Sequence, residues 1–256
     1  MSTTSASELL NIWQKGRSQT HIEQGLLLLA AACPEVTHDE LAGLPIGERD
    51  VRLIKLRETI FGPHLVCLID CPNCGEHLES TLNINQILEA LKSEAALEKQ
   101  KKENEKEILE TRISGYEVKF RLPTSLDLAA VYGVEGIKES RQLLFNRCIA
   151  AVEHNGEELS AEDLPADISD EVIKRMGDAD PLGDVRFSMS CPLCAHEWEA
   201  ILDIVSFFWS ELDAWAVRTL REVHTLASAY GWRETDILAM NPWRRRCYLD
   251  MVSGRS

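Results

Sequence analysis

The spacing of apolar residues changes along the chain, and each spacing predicts a type of element. Alternation at every second position predicts strands. It occurs on both sides of Cys71 to Cys74, on both sides of Cys191 to Cys194, and from Tyr116 to Leu122. Because a short motif separates the two alternating runs in the first two cases, we expect hairpins over residues 64–84 and 185–205.

Apolar residues three or four apart predict helices before and between the hairpins. One helix begins at Gly47-Glu48-Arg49-Asp50 and ends at Gly62-Pro63. Residues 1–46 read as a polar lead-in followed by a helix, whose buried part is Leu26 to Ala32, and by a loop from Pro34 to Pro45.

Further helices are predicted between the two hairpins. They follow Thr124 and Ser125, run from Ile137 to Val152, and run from Ser169 to Met176. Asn155-Gly156 predicts a tight turn. Residues 87–110 are rich in Glu and Lys, which predicts a solvated helix or a flexible linker, with a docking arm as the alternative.

The strongest helical pattern follows the second hairpin. Its apolar face consists of Phe208, Leu212, Trp215, Leu220, Val223, Leu226 and Tyr230, and the helix ends at Gly231. This wide, aromatic stripe either packs on neighbouring elements or forms an exposed groove for a partner.

Two short helices are expected at the end of the chain. They run from Glu234 to Met240 and from Pro242 to Val252, and Asn241 caps the second. We expect the arginines of the last helix to face outward and Cys247, Tyr248 and Met251 to face inward.

These elements predict an α+β fold that is mainly helical. Two hairpins form a split zinc ribbon, interrupted by a long α/β insertion and followed by a helical segment. The expected divisions are a lead-in (1–46), a helix with the first ribbon half (47–87), the insertion (88–184), the second ribbon half (185–205) and the C-terminal helices (206–256).

Composition and charge argue against some classes of function. The 256 residues carry a formal charge of −15, which argues against nucleic acid as a partner because such proteins need a basic face. The longest apolar run, Gly25 to Cys33, is too short to span a bilayer, and no signal peptide is visible. We therefore expect a cytosolic protein whose eight cysteines are reduced or bind metal.

The two Cys-Pro-x-Cys motifs belong to an internal quasi-repeat. A shift of 120 residues superimposes Cys71 on Cys191 and Cys74 on Cys194. The same shift superimposes Pro72 on Pro192, Glu79 on Glu199, Leu82 on Leu202 and Ile84 on Ile204. Each motif can direct two sulfurs at one point, and Zn²⁺ accepts four such ligands about 2.3 Å away.

We therefore predict one structural Zn²⁺ held by Cys71, Cys74, Cys191 and Cys194. The two halves are 116 residues apart. Loop closure grows only logarithmically, so this length costs about 2 kcal/mol more than a short loop. Structural zinc binding contributes roughly 10–16 kcal/mol at neutral pH, which outweighs that cost.

Three alternatives stay open for the cysteines. They are two disulfides, a redox-active Cys-x-x-Cys, and two separate metal sites with His77 and His196 as extra ligands. Redox motifs open a helix after a strand, whereas strand patterns flank both motifs here. The two histidines do not superimpose under the shift. The other four cysteines, Cys33, Cys67, Cys148 and Cys247, are expected to be small buried hydrophobes.

A catalytic zinc site is not predicted. His77-Leu78-Glu79 matches the first half of the nucleobase deaminase signature, but Ser190 stands where its second half requires proline. Four thiolates would also leave no position for an activated water. The chain contains no His-Glu-x-x-His, no phosphate-binding glycine loop and no Gly-x-Ser-x-Gly, so we expect no enzyme and no small-molecule substrate.

The order of several motifs resembles the T4-like phage baseplate hub assembly chaperones and related baseplate proteins of contractile tails and phage-derived injection machines. The resemblance covers about Gly47 to Val252. It rests on Gly47-Glu48-Arg49-Asp50, the two Cys-Pro-x-Cys motifs, Phe120-Arg121-Leu122-Pro123-Thr124-Ser125, Trp215, Arg221-Glu222-Val223-His224, Tyr230-Gly231-Trp232 and the arginine-rich tail.

The resemblance implies a non-enzymatic chaperone or scaffold of the hub and baseplate, in the bacterial cytoplasm during assembly and retained in the tail or released. Its partners would be hub, spike or other tail proteins. The expected partner-binding residues are Trp215, Arg221, Trp232, Trp243, Arg244 and Arg245. The alternative function is a zinc-ribbon regulatory adaptor that contacts nucleic acid or the transcription machinery.

Overall fold

A computed structural model describes residues 5–83 and 108–254. By their contacts the residues form two units. Met1–Pro34 with Asp203–Ser256 is called the terminal unit below, and Glu35–Leu202 the central unit. The charged segment predicted over 87–110 lies outside the described residues except for 108–110.

The helices and strands follow one another in mixed order. The helices are α1 (Ala6–Gly16), α2 (His21–Ala32), α3 (His38–Ala42), α4 (Ile46–Phe61), α5 (Ser125–Val131), α6 (Ile137–Cys148), α7 (Ala166–Ala179), α8 (Ile204–Tyr230), α9 (Glu234–Leu238) and α10 (Pro242–Val252). The strands are β1 (His64–Asp70), β2 (His77–Asn83), β3 (Leu109–Ile113), β4 (Tyr116–Phe120), β5 (Ile149–His154), β6 (Glu157–Leu159), β7 (Arg186–Ser190) and β8 (Glu197–Ile201). The fold is therefore mixed α+β and mainly helical, as predicted.

The long helix α8 organises the terminal unit. Asp203 caps its first turn, and Gly231 ends it in the left-handed conformation, at the residue predicted. Small residues let the other helices approach closely: a Cβ on Gly16 would clash with the Trp209 ring, lying 2.7 Å from its Cζ3 atom. The apolar core of this unit contains Leu10, Ala216, Val223, Leu226, Ile237 and Leu238.

The N-terminal part contains more helix than predicted. Residues 6–16 form α1 instead of a polar lead-in, and α3 lies within the stretch predicted as a loop. Ser5 with Glu8, and Thr37 with Glu40, form capping boxes that start these two helices. The Ser/Thr-x-x-Glu spacing was the sequence signal for both.

A four-stranded antiparallel sheet forms the core of the central unit, in the order β3-β4-β5-β6. The buried cluster at this sheet contains Val118, Phe120 and Val152 from its strands, together with Phe145, Leu164, Ile168 and Val172 from outside it. Asn155 and Gly156 both have positive φ at the turn between β5 and β6, which confirms the predicted tight turn.

Two predicted helix boundaries in this unit were wrong. The helix expected to reach Val152 ends at Cys148, because Ile149–His154 pairs with β4 as a strand. The helix expected to begin at Ser169 begins at Ala166, directly after Pro165. At the first boundary, sheet pairing outweighed the local helical pattern. At the second boundary, the fixed φ of Pro165 did so.

The two cysteine hairpins have the same register. Asp70 pairs with His77 beside the first motif, and Ser190 pairs with Glu197 beside the second, as the shift of 120 residues requires. Each hairpin is a separate two-stranded antiparallel sheet. The quasi-repeat seen in the sequence is therefore a repeat of structure.

Candidate metal centre

Both Cys-Pro-x-Cys motifs fold into the same tight knuckle. In the first, the Cys71 amide donates to the Glu76 carbonyl and the Gly75 amide donates to the Cys71 carbonyl, each at 2.9 Å. The second knuckle repeats both bonds at 2.9 Å, from Cys191 to His196 and from Ala195 to Cys191. Gly75 and Ala195 occupy equivalent positions and both have positive φ. The backbone thus turns each pair of sulfurs toward one side.

The two knuckles meet, and their four sulfurs form one cluster. Cys71 Sγ lies 3.7 Å from Cys194 Sγ, and Cys74 Sγ lies 3.6 Å from Cys191 Sγ. All four sulfurs lie within 4.8 Å of one another. Cys71 and Cys191 are buried, Cys194 is half-buried and Cys74 is exposed. The cluster therefore has one side inside the protein and one side at the surface.

These distances fit a tetrahedral Zn²⁺ centre. With Zn–S bonds of about 2.3 Å, the sulfurs of a regular tetrahedron are about 3.8 Å apart. The two sulfur distances measured between the knuckles agree with that value to within about 0.2 Å. Four thiolates are also a typical ligand set of a closed structural zinc site.

The alternatives for the cysteines fit less well. A disulfide requires sulfurs about 2.05 Å apart, and all eight cysteines are free thiols. His77 is hydrogen-bonded to Asp70, and the ring of His196 is stacked on Trp198. Among the described residues the candidate metal ligands that come together are the four cysteines, without either histidine.

The thiols of the cluster do not ionise alike. Hydrogen bonds from the Asn73 side chain and the backbone at His196 lower the pKa of Cys194 to about 6. A backbone hydrogen bond at Glu76 lowers the pKa of Cys74. Desolvation and the neighbouring thiols outweigh that bond and raise the pKa of Cys74 to about 12. Several thiolates at this spacing repel one another, and a bound divalent cation offsets that repulsion.

A buried polar junction brings together two of the motifs that carried the resemblance. The Ile46 amide donates to the Pro123 carbonyl at 3.1 Å, and Arg49 Nη1 donates to Ser125 Oγ at 3.3 Å. The Gly47 amide donates to Asp180 Oδ2 at 2.8 Å. The sequence did not predict this junction. Its signal in the sequence was that Gly47 and Pro123-Thr124 belong to two distinctive motifs.

The sequence-predicted partner residues have different surroundings. Trp215 and Trp232 are half-buried and pack on the core of the terminal unit, whereas Arg221, Trp243 and Arg244 are exposed. Arg245 is buried, with Nε 2.8 Å from a Glu222 carboxylate oxygen.

The expected orientation of α10 was therefore wrong at two residues. Arg245 faces inward because Glu222 on α8 pairs with it, and Met251 is 62% exposed instead of packed. Whether any of the six residues binds a partner stays a prediction.

Fold and site together define a class: a mainly helical α+β protein in which two distant hairpins bring four cysteines into one candidate metal centre. Comparison with models of known protein families matches residues 1–209 to the family described as T4 bacteriophage base plate protein. Because the match covers most of the 256 residues, the chain belongs to this family.

The extent of the match corrects the resemblance drawn from the sequence. That resemblance left residues 1–46 outside and reached Val252, whereas the family match begins at residue 1 and ends at residue 209. All six predicted partner-binding residues lie beyond its end.

No curated protein and no solved structure matches the chain. Within the described ranges, no helix has both the length and the apolar character needed to cross a bilayer.

Proposed function

We propose that the chain is a non-enzymatic assembly protein, a chaperone or scaffold for the baseplate or hub of a contractile phage tail or related injection machine. The observation that carries this proposal is membership of the T4 base plate protein family over residues 1–209. The protein would act in the bacterial cytoplasm while the tail is built, with hub, spike or other tail proteins as its partners.

In this proposal the metal is one structural Zn²⁺ bound by Cys71, Cys74, Cys191 and Cys194. Sulfur distances of 3.6 and 3.7 Å across the two knuckles support tetrahedral coordination. Four thiolate ligands leave no open position for substrate or water, so the ion would hold the hairpins together without taking part in a reaction.

The proposed partner surface lies on the C-terminal helices. Trp243, Arg244 and Arg221 are exposed and would contact tail proteins directly. Trp and Arg are the residue types that most often dominate protein interfaces. Buried Arg245 would act indirectly, by fixing α10 to Glu222 on α8.

Co-purification from bacteria that express the whole tail gene cluster tests the proposal. We expect the tagged chain to retain a hub, spike or other baseplate protein. We expect a Trp243→Ala/Arg244→Ala variant to retain less, and a Leu68→Ser variant, altered at an exposed residue of the central unit, to retain as much as the native chain. Absence of every tail component would contradict the proposal, and salt-dependent retention of DNA or RNA instead would favour the regulatory adaptor.

A further inference from the structure

The four cysteines of the cluster differ in how far they are open to solvent. Cys71 and Cys191, the first cysteine of each motif, are 2% and 1% exposed. Cys74 is exposed and Cys194 is half-buried, so the second cysteine of each motif reaches the surface. Thiolates that an oxidant can reach are the ones that oxidise first. A small oxidant in solution therefore has access to one sulfur of each motif.

Each accessible sulfur lies beside the buried sulfur of the other motif. Cys74 Sγ lies 3.6 Å from Cys191 Sγ, and Cys194 Sγ lies 3.7 Å from Cys71 Sγ. A disulfide bond is about 2.05 Å long, so each pair has to approach by about 1.6 Å. Rotation of the two side chains can supply an approach of that size. The geometry therefore favours bonds that join one motif to the other.

Bonds within one motif are the competing possibility. Redox-active Cys-x-x-Cys motifs open a helix, whereas each motif here forms the turn of a β-hairpin. A bond within a motif would enclose two residues, but a bond from Cys74 to Cys191 would enclose 116. In the chain-entropy account, a disulfide stabilises a fold more when it closes a longer loop. Bonds between the motifs are favoured on this ground also.

We infer that a hydroperoxide converts the cluster into two disulfide bonds, Cys74 to Cys191 and Cys71 to Cys194, which replace the zinc ion as the link between the hairpins. The inference rests on the proposed function in taking the cluster to be one structural zinc site. The same four residues then serve two conditions: they bind the ion where thiols stay reduced, and they form covalent bonds in oxidising surroundings.

The chemistry begins at the exposed Cys74. Its thiolate attacks one oxygen of the peroxide, the O–O bond breaks, and a sulfenic acid and a hydroxide form. The Cys191 thiolate then attacks the Cys74 sulfur, and the S–O bond breaks with loss of a second hydroxide. Two protons from solvent convert both hydroxides to water. Two thiolates have lost two electrons, and one peroxide has been reduced to two waters.

The second pair reacts in the same way with a second peroxide. The half-buried Cys194 takes the role of Cys74, and the buried Cys71 takes the role of Cys191. Disulfide sulfurs carry no charge, so the oxidised residues no longer bind a divalent cation. Loss of the ion and formation of the two bonds are therefore expected to go together.

Titration of the zinc-loaded chain with hydrogen peroxide tests the inference, and a chromogenic chelator measures the zinc released. We expect about two equivalents of peroxide to release the bound zinc and to halve the eight free thiols, counted after unfolding. Peptide mapping without reduction should find Cys74 joined to Cys191 and Cys71 joined to Cys194. Dithiothreitol followed by zinc should restore the thiols and the bound ion.

Two further measurements examine the order of the reaction and its effect on the fold. Dimedone, which traps sulfenic acids, should label the second cysteine of each motif at least about fivefold more than the first. The oxidised, zinc-free chain should still unfold cooperatively on heating, because two bonds join its hairpins. The reduced chain in excess chelator should lose the cooperative folding of the central unit.

The matched control is Cys33→Ser/Cys247→Ser, which removes two half-buried thiols outside the cluster. It should release zinc at the same rate as the native chain and form the same two bonds. If the native release depended on these outer thiols, the control would release zinc more slowly, and the cluster would not be the site of oxidation.

Two outcomes of the titration overturn the inference. One is a map with bonds from Cys71 to Cys74 and from Cys191 to Cys194, because the hairpins would then be separate. The other is a chain that keeps its zinc, or loses it without forming either bond between the motifs. Failure of the proposed function looks different. A purified chain without zinc refutes its metal site, and absence of tail proteins refutes its assembly role, whereas the disulfide map decides the pairing in either case.

Discussion

Ala195 is one of three non-glycine residues that have positive φ in the described part of the chain. It has φ of 56° in the second knuckle, where the equivalent residue of the first knuckle is Gly75 with φ of 72°. The left-handed conformation costs an L-residue roughly 1–2 kcal/mol, and glycine avoids that cost. The two knuckles are therefore nearly identical in geometry but differ in strain.

Exchanging these two residue types should shift stability in opposite directions. Ala195→Gly relieves the strain, and we expect it to raise the free energy of unfolding by about 0.5–1 kcal/mol once the added freedom of the unfolded chain is counted. In Gly75→Ala the added Cβ meets no atom within 4 Å, so the strain of the left-handed backbone is its cost. We expect this variant to lower the free energy of unfolding by about as much. Denaturant titration of the zinc-loaded proteins measures both, and shifts of equal sign would refute this account.

Asp127 is the central acceptor of a buried ionic network. It is fully buried, and its carboxylate accepts bonds from Arg121 at 2.6 and 2.8 Å and from Arg147 at 2.9 Å. The Thr124 amide, at the start of α5, donates to it at 3.0 Å. One carboxylate thus joins α5, α6 and the residue that follows β4.

Asp127→Asn should lower the free energy of unfolding by about 3 kcal/mol, because it leaves two arginines without their counter-charge. The control is Asp170→Asn, which breaks the exposed pair with Arg141 and should cost less than about 1 kcal/mol. Urea unfolding distinguishes the two. Equal losses would show that burial of Asp127 adds nothing.

Acid should weaken the protein through the same residue. Burial by itself would raise the pKa of Asp127, but hydrogen bonds from Arg121 and Thr124 outweigh it and hold the pKa well below its usual range. Its contribution is therefore complete above the unfolded pKa of about 3.9 and is lost as pH falls toward the folded value. We expect unfolding free energy to drop below about pH 4, and the drop to be smaller in Asp127→Asn. Parallel acid profiles would contradict this assignment.

At the scale of elements, the start of α4 depends on a residue far away in the sequence. Helix α4 has no side-chain cap of its own, and Asp180 accepts the Gly47 amide bond at 2.8 Å instead. Burial raises the pKa of Asp180, against the opposing effect of that bond. A Cβ on Gly47 would lie 2.7 Å from Asp180 Cγ and 2.9 Å from the Gly183 amide nitrogen. Only glycine allows this close approach.

Gly47→Ala should therefore separate Asp180 from α4 and lower the free energy of unfolding by at least about 2 kcal/mol. The matched control is Gly177→Ala within α7, where a Cβ meets nothing within 4 Å. That change should raise stability by up to about 1 kcal/mol, because alanine favours helices. Thermal unfolding measures whether each variant gains or loses stability. If Gly47→Ala left stability unchanged, Asp180 would be free to move.

At the scale of the whole molecule, the four-cysteine cluster closes a very long loop. The two knuckles are separated by 116 residues, and their four sulfurs lie within 4.8 Å of one another, with two distances between the knuckles of 3.6 and 3.7 Å. Bound zinc would contribute roughly 10–16 kcal/mol, far more than the entropy of closing this loop. The ion would therefore hold the central unit together.

We expect elemental analysis to find one zinc per chain. Cys191→Ser should abolish zinc binding and cooperative folding of the central unit, because three ligands cannot complete the tetrahedron. Cys33→Ser, at a cysteine outside the cluster, should leave both unchanged. Two zinc ions per chain, or full stability in excess chelator, would refute a shared site.

The sequence by itself predicted the features that depend on near neighbours. Alternation predicted both hairpins, the wide apolar stripe predicted α8, and Gly231 and Asn241 marked a helix end and a helix start that the structure confirms. The Cys-x-x-Cys spacing also indicated that the pairs belong together, because each knuckle can supply only half of a tetrahedron.

Only the tertiary structure decided which distant groups meet. It brought the four cysteines together across 116 residues, placed Asp180 on the Gly47 amide, and turned Arg245 inward to Glu222. It also made Ile149–His154 a strand, because β4 offered an edge to pair with. Local periodicity shows which face of an element is apolar, whereas the partner of that face depends on how the whole chain packs.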